Sequence, residues 1–133
     1  MKFLSRSVIR DETDVYLAIH HVSLQVKAME LNVVQLSKLK TTISELGQNI
    51  VKYAKRGRID FYILEKPKRG IQIIATDNGP GIRDLEKAMT DNYSSSGTLG
   101  LGLPGVKRLV DEFSIQSLVN VGTTVTTVLY DRA

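Results

Sequence analysis

Asp77-Asn78-Gly79-Pro80-Gly81-Ile82 decides the reading of this chain. The apolar, β-branched run Ile71 to Thr76 leads straight into it, which predicts a strand ending at a carboxylate. An acid at the end of a buried strand is costly unless it has partners. Asp77 can accept a hydrogen bond from an exocyclic amine such as that of adenine. Glycines on both sides of Pro80 let backbone pass close against a planar ligand. The same Asp-Asn-Gly composition also suits an Asx turn.

Upstream stands Glu45-Leu46-Gly47-Gln48-Asn49-Ile50-Val51-Lys52-Tyr53. Glu45 and Asn49 are spaced to share one helical face, with Lys52 one turn beyond. Asn49 offers a neutral amide oxygen of the kind magnesium accepts beside phosphates and waters. Glu45 can orient or deprotonate an attacking hydroxyl. Lys52 can reach a phosphate. Any of these is ordinary on a helix surface; their common stripe is what draws notice.

Downstream runs Gly97-Thr98-Leu99-Gly100-Leu101-Gly102-Leu103, and Gly100 to Gly105 matches GxGxxG literally. It follows a polar loop rather than a strand, and no suitably placed acid lies about twenty residues on, so a dinucleotide fold does not follow. Glycines at a helix N-terminus still form an anion nest, and phosphate cradling is the better reading. No GxxxxGK[ST] string occurs, so this is not a Walker site.

With 133 residues the chain is expected to form one domain spanning residues 1–133. Composition is that of a soluble globular protein, 42% hydrophobic and 24% charged. The net charge of +4 is spread along the chain in small clusters, whereas a nucleic-acid footprint is denser and interleaved with aromatics. There is no cysteine, which excludes disulfides and zinc–thiolate sites. No apolar stretch is long enough for a membrane span, and a cytoplasmic location is expected. His20-His21 are adjacent on a helical pattern and point about 100° apart, so they do not readily chelate one ion.

Periodicity predicts a strand over Phe3 to Ile9 and a helix capped near Asp11 that runs to about Leu31. A second helix is expected from Val33 to Lys55, then strands Arg58 to Leu64 and Ile71 to Thr76. A short helix over Arg83 to Thr90, a glycine-rich loop from Asp91 to Leu103 and a helix from Pro104 follow. Strands Ser114 to Val119 and Thr123 to Tyr130 close the chain around a turn at Asn120-Val121-Gly122. The fold class is α+β, a two-layer sandwich with helices on one face of a mixed sheet.

The Glu45–Tyr53, Asp77–Ile82 and Gly97–Leu103 segments resemble the N, G1 and G2 boxes of the GHKL, or Bergerat, ATPases. Gly122-Thr123-Thr124 resembles their final box. Length, together with Thr41 to Leu46, Leu101 to Leu109 and Asp111 to Ser114, resembles the stand-alone RsbT-type stressosome switch kinases within the anti-sigma-factor kinases.

That resemblance implies Mg-ATP bound by Asn49, Lys52, Asp77, Gly79, Gly81, Ile82, Gly100, Leu101, Gly102 and Thr124, with Asn49 at the metal and Glu45 catalytic. It implies transfer to Ser or Thr of RsbS-like and RsbR-like STAS-domain proteins, then release to a PP2C-type phosphatase or other output protein. An anti-sigma factor that sequesters a sigma subunit is the alternative. One departure stands out: Thr90 to Leu103 holds no Lys or Arg, where some relatives carry an arginine.

Overall fold

The structure, a computed structural model, describes residues 1–90 and 102–132. Its elements are β1 (Lys2–Ile9), α1 (Glu12–Gln25), α2 (Val33–Asn49), β2 (Gly57–Leu64), β3 (Gly70–Asp77), α3 (Leu85–Ala88), α4 (Gly102–Leu109), β4 (Glu112–Leu118) and β5 (Gly122–Tyr130). A 3-10 turn over Lys27–Met29 follows α1, and a π turn over Ile50–Ala54 extends α2.

The sheet order is β1-β2-β3-β5-β4. Every neighbouring pair is antiparallel, which corrects the expectation of a mixed sheet. The cause is topological. A helical crossover sends β4 in the same direction as β3, but β5 turns back and inserts between them. The parallel strands therefore never touch.

Alternation along the strands builds the core. Register places Ile59 beside Ala75 and Phe61 beside Ile73, so these side chains share one face. Ile71, Val125 and Leu129 join them, and all are buried. Val15, Ala18 and Val22 of α1, Leu39, Ile43 and Leu46 of α2, and Val106 of α4 cover that face. The two-layer α+β arrangement is as expected. On the opposite face Asp60 is only 5% exposed. Arg6 Nε lies 2.6 Å from its Oδ1 and Arg58 Nε 3.5 Å from its Oδ2, which offsets the cost of burying the charge.

Helix ends follow capping chemistry. Asp11 accepts from the Asp14 amide at 3.0 Å, and Asn32 from the Gln35 amide at 2.8 Å. α1 stops short of Leu31 because tertiary bonds take over. Arg69 Nη2 donates to the Met29 carbonyl at 2.7 Å, and Glu30 turns left-handed at φ 53°. Asn32 is thereby free to cap α2. The short helix expected over Arg83 to Thr90 is confined to Leu85–Ala88, capped by Asp84. His20 and His21 are both exposed, and no cluster of three or more potential metal-binding His, Cys, Asp or Glu side chains exists among the described residues.

The α1–α2 crossing depends on Gly47. A Cβ there would lie 2.9 Å from both methyls of Val15, a β-branched side chain with little rotamer freedom. In an open helix Gly→Ala stabilises by up to about 1 kcal/mol. Here Gly47→Ala should instead destabilise by about 1–3 kcal/mol, as overpacking does. Urea unfolding measures the sign, and stabilisation would mean that the two helices do not pack this closely.

Candidate active site

The site begins where β3 runs out. Asp77 is the last residue of the strand and pairs with Gly57 on β2 and Thr123 on β5. It continues the core-facing series Ile71, Ile73, Ala75, but half-exposed at the rim. Its Oδ1 accepts from the Gly79 amide at 2.9 Å, an Asx turn. The turn reading and the ligand reading are therefore compatible, because the turn occupies Oδ1 and fixes the direction of the carboxylate.

The glycines after Asp77 are required by contact. A Cβ on Gly79 would lie 2.6 Å from the Ala54 Cβ, so this turn packs against the π turn that extends α2. Gly81 has φ +76°, and a Cβ there would come within 2.2 Å of the Leu118 carbonyl oxygen. The segment is then tied to the β4–β5 hairpin. The Asn120 amide donates to the Pro80 carbonyl at 2.8 Å, and the Ile82 amide donates to Ser117 Oγ at 2.7 Å.

Thr124 requires a correction. It pairs with Thr76, whereas Thr123 pairs with Asp77. Strand alternation puts Thr124 on the face away from the helices and Thr123, only 9% exposed, on the face of Asp77. Thr123 also bonds Ser117 Oγ at 2.8 Å. Thr123 lies within the Gly122-Thr123-Thr124 motif, whereas Ser117 lies within none. Counting back by two from the core-facing Val125 reaches Thr123, but nothing local marks Ser117.

Glu45 and Asn49 lie one turn apart on α2, and both are half-buried. Glu45 Oε2 accepts a long hydrogen bond of 3.4 Å from the Gly102 amide, the first residue of α4. The α2 stripe thus faces the N-terminus of α4, where the glycine-rich segment ends. Gly102 has φ +67°, and Pro104 and Gly105 behind it are buried. Gly100 and Leu101 lie outside the described residues. Lys52 falls in the π turn rather than on the continuing α-helix, and its side chain is exposed. A π turn interrupting a helix frequently marks a functional site. Lys107 and Arg108 are exposed in the last turn of α4.

An adenine-type ligand and its magnesium fit this donor set. Asp77 supplies an oriented acceptor at the strand end. Asn49 supplies one neutral oxygen, and a magnesium ion that takes its other ligands from phosphates and water needs little more from the protein.

The family of histidine kinase-, DNA gyrase B- and HSP90-like ATPases matches residues 35–132. The serine/threonine-protein kinase RsbT of Bacillus subtilis is 45% identical over 107 residues, 80% of each chain. The anti-sigma F factor of Clostridium novyi is 28% identical over 131 residues, 94% of this chain and 88% of its own. Among solved structures, the RsbU and RsbW domains of a Mycobacterium tuberculosis protein superpose with a TM-score of 0.67 at 14% identity. That match covers 97% of this chain and 33% of the other, so this chain spans about a third of that protein and the likeness shows the fold. The chain belongs to the histidine kinase-, DNA gyrase B- and HSP90-like ATPase family, among relatives of the RsbT serine/threonine-protein kinase.

Proposed function

We propose that this chain is a cytoplasmic partner-switching kinase that uses Mg-ATP to phosphorylate Ser or Thr on STAS-domain stressosome proteins of the RsbS-like and RsbR-like kinds. Release then lets it engage a downstream partner such as an RsbU-like, PP2C-type phosphatase. The 45% identity to a serine/threonine-protein kinase supports the reaction class. The observation that carries the reading is the convergence of two constellations. An Asx-oriented Asp77 stands at one end, and the Glu45–Asn49 stripe stands against the first amide of α4 at the other.

Each residue then has a chemical task. Asp77 accepts from the exocyclic amine of adenine, while Gly79, Gly81 and Ile82 pass along the base. Gly100, Leu101 and Gly102 cradle phosphates. Asn49 supplies an oxygen to magnesium, which neutralises charge on the phosphates. Glu45 accepts the proton of the attacking hydroxyl as its oxygen bonds the γ-phosphorus and the bridging oxygen leaves with ADP. Thr90 to Leu103 holds no cation, so Lys52 is assigned most of the remaining neutralisation, assisted by Lys107, Arg108 or the partner. Phosphate on the substrate protein adds charge and acceptor oxygens at the shared surface, which repels the kinase and frees it for the next partner.

The likeness to an anti-sigma F factor over 94% of the chain supports a second reading, sequestration of a sigma subunit. Transfer of labelled γ-phosphate from Mg-ATP to a STAS-domain protein of the same genome separates the two. Transfer is expected here; its absence alongside a stable sigma complex would favour sequestration.

Substitutions divide the roles. Asp77→Asn presents a donor to an amine donor and should abolish nucleotide binding in a calorimetric titration. Glu45→Ala should leave that binding near wild type and slow transfer by roughly 10²–10⁴-fold. Equal loss of binding in both would remove Glu45 from the chemistry. Lys52→Ala should weaken ATP binding and lower turnover together, and unchanged kinetics would give its task to another cation.

A further inference from the structure

Three strands place Ser117, Thr123 and Asp77 in one row. Ser117 is the register partner of Thr123 across β4 and β5, and Thr123 is that of Asp77 across β5 and β3. The Ser117 hydroxyl sits at the head of the row and is unusually occupied. Its Oγ accepts from the Ile82 amide at 2.7 Å, lies 2.8 Å from Thr123 Oγ1 and 3.3 Å from the Gly122 carbonyl oxygen. One side chain therefore touches the glycine turn after Asp77, the glycine that begins β5 and the threonine opposite Asp77.

A serine hydroxyl has one proton to give. Ile82 takes an acceptor site, so the proton goes to Thr123 or to Gly122. With two acceptor sites, the oxygen can also take the Thr123 proton while giving its own to Gly122, so the Ser117–Thr123 bond forms in either direction. In either direction the bond holds the Thr123 hydroxyl in place beside Asp77 in the row. Without Ser117 both the Ile82 amide and the Thr123 hydroxyl lose their partner, and the hydroxyl is free to turn either way.

We propose that Ser117 is a positioning residue for the nucleotide. It holds the Gly81–Ile82 turn and fixes the Thr123 side chain beside Asp77. This rests on the reading of Asp77 as the adenine acceptor. Among the described residues the Ser117 hydroxyl bonds Ile82, Gly122 and Thr123, none of them on α2 with Glu45 and Asn49. Its influence therefore falls on nucleotide affinity and not on the transfer step.

The test titrates folded wild type and Ser117→Ala with ADP and measures KM for ATP and kcat with a STAS-domain acceptor. The expected result is a roughly 10-fold weaker ADP affinity and a matching rise in KM, the scale of leaving one part-buried donor without its acceptor. The kcat at saturating ATP should stay within about 2-fold, because Ser117 would stabilise the bound ground state and the transition state equally. Ser117→Thr, which keeps the hydroxyl, should restore most of the affinity. Wild-type ADP affinity in folded Ser117→Ala would overturn the proposal, as would a fall in kcat with KM unchanged. If Ser117→Ala does not fold, Thr123→Val decides in its place, with the same KM rise supporting the row and a wild-type KM overturning it. Failure of wild type itself to bind ADP would instead overturn the adenine reading, and this proposal with it.

Discussion

The structure depends on two backbone segments pressed together at one end of the sheet. The turn after β3 and the hairpin between β4 and β5 approach so closely that neither tolerates a Cβ at the contact. A Cβ on Gly81 would reach 2.2 Å from Leu118 O, and one on Gly122 would reach 2.1 Å from Asp77 O. Hydrogen bonds from Asn120 to Pro80 and from Ile82 to Ser117 fasten the same contact. The glycines give up conformational entropy on folding. In return Asp77 emerges from a buried strand in one orientation, and such rigid placement is what a specific acceptor needs.

The other half of the site is built differently. Glu45 and Asn49 are placed by helix geometry, one turn apart, on a helix whose buried side fills the core with Leu39, Ile43 and Leu46. The π turn after Asn49 then brings Ala54 against Gly79, which joins the α2 side of the site to the strand side. The core thus carries the elements that bear both halves, while Asp77 and Ser117 fasten the turn locally.

Much of this was legible in the sequence, for identifiable reasons. The strands β2 and β3 alternate cleanly, and Asp11 is a capping residue by composition, so these elements were locatable. Asp77, Glu45 and Asn49 stood out because strand end and helical spacing are local properties. What failed to show was tertiary. The antiparallel sheet follows from where β5 inserts, and the early end of α1 from a bond to Arg69, forty residues away. The motif marks the pair Thr123-Thr124, whereas which of the two shares the face of Asp77 depends on register with β3. Ser117 left no signal, since its meaning lies in contacts to Ile82 and Thr123.

The claim at the centre is that a single oriented carboxylate reads an exocyclic amine. Calorimetric titration of the wild-type chain with ADP and with inosine diphosphate tests it most directly, because the two differ only at the N1–C6 edge, where a carbonyl replaces the amine and N1 gains a proton. Two facing acceptors leave the Asp77 carboxylate unsatisfied, so inosine diphosphate should bind roughly 10- to 100-fold more weakly. Equal affinity for the two nucleotides would contradict the account.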